Sequence, residues 1–117
     1  MSEEIAVQDA LQPLPRHDLS IGGEIGRRIE LTIRENVLKL DVDGHFLRHF
    51  EERVSGAPGD YVGMGKLVDS IVRFAAWRGQ DEVRALKESV IRRLRDSQEP
   101  DGYIGVFKPE DRGGKLW

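Results

Sequence analysis

Asp101 and Tyr103 lie in the stretch SQEPDGYIGVF, Ser97 to Phe107. They put a carboxylate and a phenol two residues apart, just beyond a strongly periodic helical stretch. Such a pair can hydrogen-bond sugar hydroxyls, and the tyrosine ring offers a flat apolar face to a furanose or pyranose. The same residues also suit a purely structural turn. Pro100 and Gly102 occupy the second and fourth positions of a type I turn. Asp commonly bonds the backbone of its own turn, and the tyrosine can pack inward.

Lys66 and Asp69 are the second candidate pair. Asp69 stands one helical turn from both Lys66 and Arg73. That spacing gives either a local ion trio or a polar residue lining a pocket at a helix mouth.

Other spacings fail for stated reasons. His45 and His49 are four apart, the spacing for two metal ligands on one helix face. Phe46 stands where a zinc hydrolase has its glutamate, so ordinary surface or half-buried histidines are expected. A calcium loop centred on Gly44 would need Lys39 and Phe50 as its first and last ligands. GMGKL, residues 63–67, has Leu67 where a phosphate loop needs Ser or Thr, and no strand precedes it. There is no cysteine, so disulfides, thiolate nucleophiles and thiolate-zinc sites are excluded within these residues.

These residues must be positioned by helices. Residues 1–22 read as an irregular lead-in, since Pro13 and Pro15 interrupt any helix there, with a short extended segment near Leu19–Ile21. A first helix is expected from about Gly23 to Leu38, with Ile25, Ile29, Ile33 and Val37 on one face. Gly26 weakens its first turn. Asp43 is expected to cap a shorter helix running through Glu52, followed by a loop over Ser55–Asp60. A long helix from about Val62 to Arg78 carries a broad apolar stripe, and Gly79 fits its C-terminal stop. Asp81 is the expected N-cap of the last helix, about Glu82 to Ser97. Its outer face repeats Arg84, Glu88, Arg92 and Asp96 at four-residue intervals, a solvated ladder. The short link between the last two helices makes them an antiparallel hairpin. Leu67, Ile71, Leu86, Val90 and Leu94 are its expected core. The class is all-α.

Composition narrows the setting. The 18 basic and 21 acidic residues give a net charge of −3, no footprint for nucleic acid. No apolar run reaches the ~20 residues a membrane span needs, and MSEEIAVQ is acidic where a signal peptide starts basic. The expectation is a soluble, cytoplasmic protein with no nucleic-acid or membrane partner. No cofactor is expected within this chain.

YVGMGKLVDSIVRFAAWRG, leading through a second helix into SQEPDGYIGVF, resembles the beta-L-arabinofuranosidase-like glycosidase family. Lys66 and Asp69 match its inner-helix element. Gln98, Pro100, Asp101, Gly102 and Tyr103 match its Gln-x-Pro-Asp-Gly-Tyr turn. Trp117 matches a following Arg/Trp segment, and LSIGGEIGRRIE looks like its opening. The resemblance implies that residues 23–117 are the N-terminal helical part of an (α/α)6 barrel. It also implies a carbohydrate substrate resembling an arabinofuranoside, contacted by Asp101, Tyr103, Asp69 and Lys66. In that family a zinc-bound cysteine nucleophile and a glutamate acid/base lie beyond the Asp-Gly-Tyr turn. The catalytic residues, and any zinc, are therefore expected outside this chain, which alone would be inactive. Its neighbours would be the remainder of the barrel or another helical subunit. The competing expectation is a non-catalytic helical module that binds a protein partner through its apolar stripe.

Overall fold

The computed structural model describes residues 9–53, 62–77 and 79–113. All regular structure among them is helical, with no strand. Four α-helices carry the fold: α1 (Gly23–Glu35), α2 (Arg48–Glu52), α3 (Val62–Ala75) and α4 (Asp81–Asp96). The lead-in runs exposed along the surface, broken by one 3₁₀ turn at Arg16–Asp18.

The first helix is shorter than its periodicity predicts. Asn36 leaves the helical region at φ −122°, ψ −72°, and Val37–Lys39 continues as a 3₁₀ turn. Asparagine competes for backbone hydrogen bonds and is a poor helix former. The tighter turn still delivers Val37 to the core, where it and Ile33 are buried. Ile25 does not join them and stays 64% exposed. Gly26 has a reason beyond propensity. The Ile21 carbonyl lies so close that a Cβ would collide with its oxygen. The glycine thus lets the extended entry strap pass over α1.

Asp43 does not cap the second helix. Asp41 accepts the Gly44 amide at 2.9 Å instead, and Asp43–Leu47 forms a π turn that leads directly into α2. The Asp43 carboxylate is turned toward Arg93 of α4. Arg93 also holds both oxygens of Glu51, at 2.6 and 2.9 Å. Glu51 first and Asp43 second push the Arg93 pKa upward. One guanidinium thus ties the π turn and α2 to the flank of α4.

The deepest packing is between α3 and α4, where Leu67, Ile71, Val83 and Val90 are buried. The end of α3 meets the start of α4, Arg84 donating to the Ala75 carbonyl at 3.2 Å. Gly79 in the link takes φ +78°, the left-handed conformation expected there. Asp81 is the first helical residue, not the cap; Gln80 precedes it without a side-chain cap bond. Asp81 pairs with Arg84, which turns Arg84 away from Glu88. The outer ladder is therefore exposed, as expected, but is not a chain of four-residue ion pairs. Leu86 and Leu94 are partly buried rather than fully so. The expected helix end at Arg78 is not reached: α3 stops at Ala75, so Gly79 sits in the link and not directly past the helix. The expected loop at Ser55–Asp60 and Trp117 lie outside the described residues.

This packing sets two stability outcomes. Ile71→Ala, at 0% exposure, should cost about 2–5 kcal/mol in denaturant melts, and Leu94→Ala distinctly less because its site is open on one side. Gly26→Ala should lower the melting temperature, although alanine is the better helix former by about 1 kcal/mol.

Candidate functional site

The turn after α4 is fixed largely by its own backbone. The Gly102 amide donates to the Glu99 carbonyl at 2.8 Å, and the Glu99 amide to the Tyr103 carbonyl at 3.0 Å. Gly102 takes φ +90°, a conformation disfavoured for side-chain-bearing residues. Asp101 Oδ1 accepts the Tyr103 amide at 3.0 Å, and the Gln98 side chain donates to the Gly102 carbonyl at 2.8 Å. The Tyr103 ring then folds back over Gly105. A Cβ on Gly105 would lie 2.5 Å from Tyr103 Cζ, so only glycine leaves room for the ring. The phenol oxygen accepts the Phe107 amide at 3.1 Å. The two spaced glycines have different tasks: one makes the turn, the other admits the tyrosine.

Charged groups clamp this loop. The Arg112 guanidinium stacks 3.5 Å from the Tyr103 ring centroid, and that of Arg53 lies 5.9 Å away. Arg112 donates to Glu99 at 2.6 Å, to Asp101 at 3.2 Å and to the Phe107 carbonyl at 3.4 Å. Its pKa is raised, chiefly by Glu99. Arg53 pairs with Glu99 at 3.3 Å and donates to the Ser97 carbonyl at 2.6 Å. It does so from a left-handed backbone, φ 47°, at the end of α2. Periodicity did not reveal Arg53, Glu99 or Arg112. The only sequence signal was two arginines and a glutamate flanking an aromatic loop.

A groove of about 530 Å³ opens beside the clamped loop. Phe50, Met64, Val68, Leu94, Tyr103 and Ile104 are among the residues that line it. Gly65 lies on its α3 side, and a Cβ there would meet nothing within 4 Å. Among the described residues no carboxylate lines it. The groove is an apolar and aromatic surface with a phenol at its edge; it can bind, but it holds no pair of acids to break a glycosidic bond.

The four sequence-selected residues are not gathered in one place. Tyr103 lines this groove. Asp101 sits in the turn, bonded to backbone and to Arg112. Asp69 receives Arg73 Nε on both oxygens at 2.9 Å, which makes two members of the anticipated ion trio. Lys66 points elsewhere and lines a second groove, with Asn36, Ser70 and Phe74. A zinc-bound thiolate has no residues here to hold it. The chain lacks cysteine, and among the described residues no group of three or more His, Asp or Glu is placed to hold a metal. No helix of the described residues is long and apolar enough to cross a membrane. No family model, no curated protein and no solved structure matches the chain.

The glycines provide a direct check on this geometry. Gly105→Ala should destabilise the chain and shift the amide resonances of Tyr103 and Phe107. Gly65→Ala, in a helix with free space around it, should stabilise by about 0.5–1 kcal/mol.

Proposed function

We propose that the chain is part of the wall of a larger helical protein that acts on carbohydrate, of the (α/α)6 glycosidase kind. It supplies scaffold and a sugar-facing surface. The hydrolytic groups, with any zinc, come from elsewhere in that protein, and the setting is cytoplasmic. The observation that carries this reading is the Asp-Gly-Tyr loop. It is locked in one geometry by five backbone-directed bonds, at the end of α4, beside an aromatic-lined groove that no carboxylate of the described residues lines. The relation of α3 to α4 supports it further. Leu94, near the end of α4, shares the groove with Met64 and Gly65 at the start of α3, as an antiparallel hairpin requires. Sugar rings stack on apolar faces and need few, well-placed polar groups. The Phe50, Phe107 and Tyr103 lining with one phenol is of that kind. Arg112 covers one face of Tyr103, so the groove edge, rather than an open ring face, is the contact offered.

One observation favours a second reading, a helical module that binds a protein. Ile104 at the groove is 45% exposed, and Val72 and Ile91 are 43% and 40% exposed. Such residues can be the anchors of a protein contact.

Titration of the isotope-labelled 117-residue chain with arabinofuranosyl oligosaccharides separates the two. The proposal expects saturable amide shifts at Gly65 and Ile104–Phe107, lost in Gly65→Leu with its melting temperature retained. It also expects no turnover of aryl arabinofuranosides. Shifts at those amides on raising protein concentration, with none on adding sugar, would replace it with the protein-binding reading. Hydrolysis abolished by Asp69→Asn or Asp101→Asn would overturn the non-catalytic role. Tyr103→Phe removes the hydrogen bond between the phenol and the Phe107 amide and should itself cost about 0.5–1.5 kcal/mol, so its binding data need a stability control.

A further inference from the structure

The second groove holds chemistry that the first lacks. Helix α1 lies only loosely against α3, and between the two the surface is hollow. Two depressions lie there, of about 520 and 230 Å³. They meet at Ser70 and Phe74, which line both. Lys66, Ser70 and Arg73 on α3, with Trp77 just past its end, follow the groove for about 16 Å at ~1.5 Å per residue.

Its electrostatics are one-sided. Lys66, Arg73 and Arg16 line the two depressions, and among the described residues no carboxylate does. Of the three only Arg73 has a carboxylate partner among the described residues, Asp69, in a chain whose net charge is −3. Among the described residues neither Lys66 nor Arg16 is paired with a carboxylate. Asp69 engages only Nε of Arg73, so the two terminal nitrogens of that guanidinium keep their donors.

The uncharged lining is equally specific. The hydroxyls of Ser70 and Thr32 already donate, to the Lys66 and Arg28 carbonyls at 2.8 and 2.9 Å. What they offer a ligand is lone pairs, which suit incoming hydroxyl donors. Asn36 adds an amide, and Phe46, Phe74 and Trp77 add aromatic surface. Cations at both ends, hydroxyl acceptors between them and aromatic rings alongside fit a ligand with carboxylates, hydroxyls and apolar ring faces together.

We propose that the groove between α1 and α3 binds an acidic saccharide, a short oligosaccharide of uronic acids, with Lys66 and Arg16 receiving its carboxylates. The inference rests on the carbohydrate reading above but concerns a separate surface. Its ion contacts are solvent-exposed, so affinity falls as salt is raised.

The test uses the labelled 117-residue chain with tri-galacturonate, its methyl ester and a neutral arabinofuranosyl trisaccharide. Tri-galacturonate should shift the Ser70 and Phe74 amides and the Trp77 indole. The methyl ester should bind at least tenfold more weakly. Lys66→Ala combined with Arg16→Ala should lower affinity at least tenfold with the melting temperature unchanged, since both side chains are exposed. Equal binding of the ester, or unchanged affinity in the double variant, overturns the proposal. So does an identical shift pattern with acetate alone, which would show a simple anion site. Arabinoside shifts at Ile104–Phe107 without any tri-galacturonate response would sink this inference and leave the first reading standing. The converse pattern would sink the arabinofuranoside assignment of the first groove and leave the carbohydrate class, and this inference, standing.

Discussion

The apolar seam between α3 and α4 is what the other elements depend on. Leu67 and Ile71 from one helix meet Val83 and Val90 from the other, all at 5% exposure or less. The two helices have 14 and 16 residues, close to the length of about 12–15 residues below which an isolated helix is marginal in water. Burial along the seam stabilises both at once, at about 25 cal/mol per Å² of apolar area removed from water. Everything else is attached to this pair: α2 through Phe50 and the Arg93 clasp, α1 through Ile33 and Val37, the last loop through Val106. No charged or polar residue is buried among those described. Most of the ion pairs therefore orient exposed pieces and contribute little stability of their own, as solvent-screened pairs usually do; those of Glu99 with Arg53 and Arg112 are the more sheltered exception.

That division of labour explains the Asp-Gly-Tyr loop. Its rigidity comes from backbone hydrogen bonds and from two glycines placed for different steric reasons, while Arg112 and Arg53 hold the outside. Asp101 bonds the Tyr103 amide through one oxygen and Arg112 through the other. Both oxygens thus have a structural partner before any ligand arrives. Tyr103 is different. Its oxygen accepts one hydrogen bond and still has a proton to donate, and it stands at the edge of the groove. Of the two candidate residues, one is committed to the turn and the other keeps a hydrogen-bond donor.

Much of the helical framework was legible because the spacing of Leu67, Ile71, Val83 and Val90 has one physical meaning, a buried stripe. Boundaries were less so. Asn36 ends α1 through its backbone geometry, although Val37 keeps the apolar rhythm and invites the helix onward. Asp41 and Asp43 are two identical side chains with one residue between them. Which one caps depends on where Arg93 sits, 50 residues beyond Asp43, and that is not written in the local sequence. Gly26 and Gly105 were visible as glycines, but their cause is a neighbour's approach and not their own conformation. The site divides the same way. The place of Tyr103 just after its turn was legible; the groove beside it, and Lys66 facing a different one, depend on how helices are set against each other.

Helix α3 carries the consequence of that arrangement on its two flanks. Met64, Gly65 and Val68 face the groove by the loop, while Lys66, Ser70 and Phe74 face the groove toward α1. At about 100° per residue these sets lie on opposite sides of one cylinder, separated by the buried ridge of Leu67 and Ile71. Helix α3 is also clearly more apolar than α1 or α4. An apolar helix with a hollow on each side and a partner along its back is what the proposed barrel wall asks of an inner helix. A more polar helix with its outer face solvated, as α4 has, suits an outer layer. The proposed wall segment asks for this asymmetry between the two members of a hairpin. A free-standing module has less reason for it, because two helices sharing one seam and otherwise facing water would be expected to be equally polar on their outer sides.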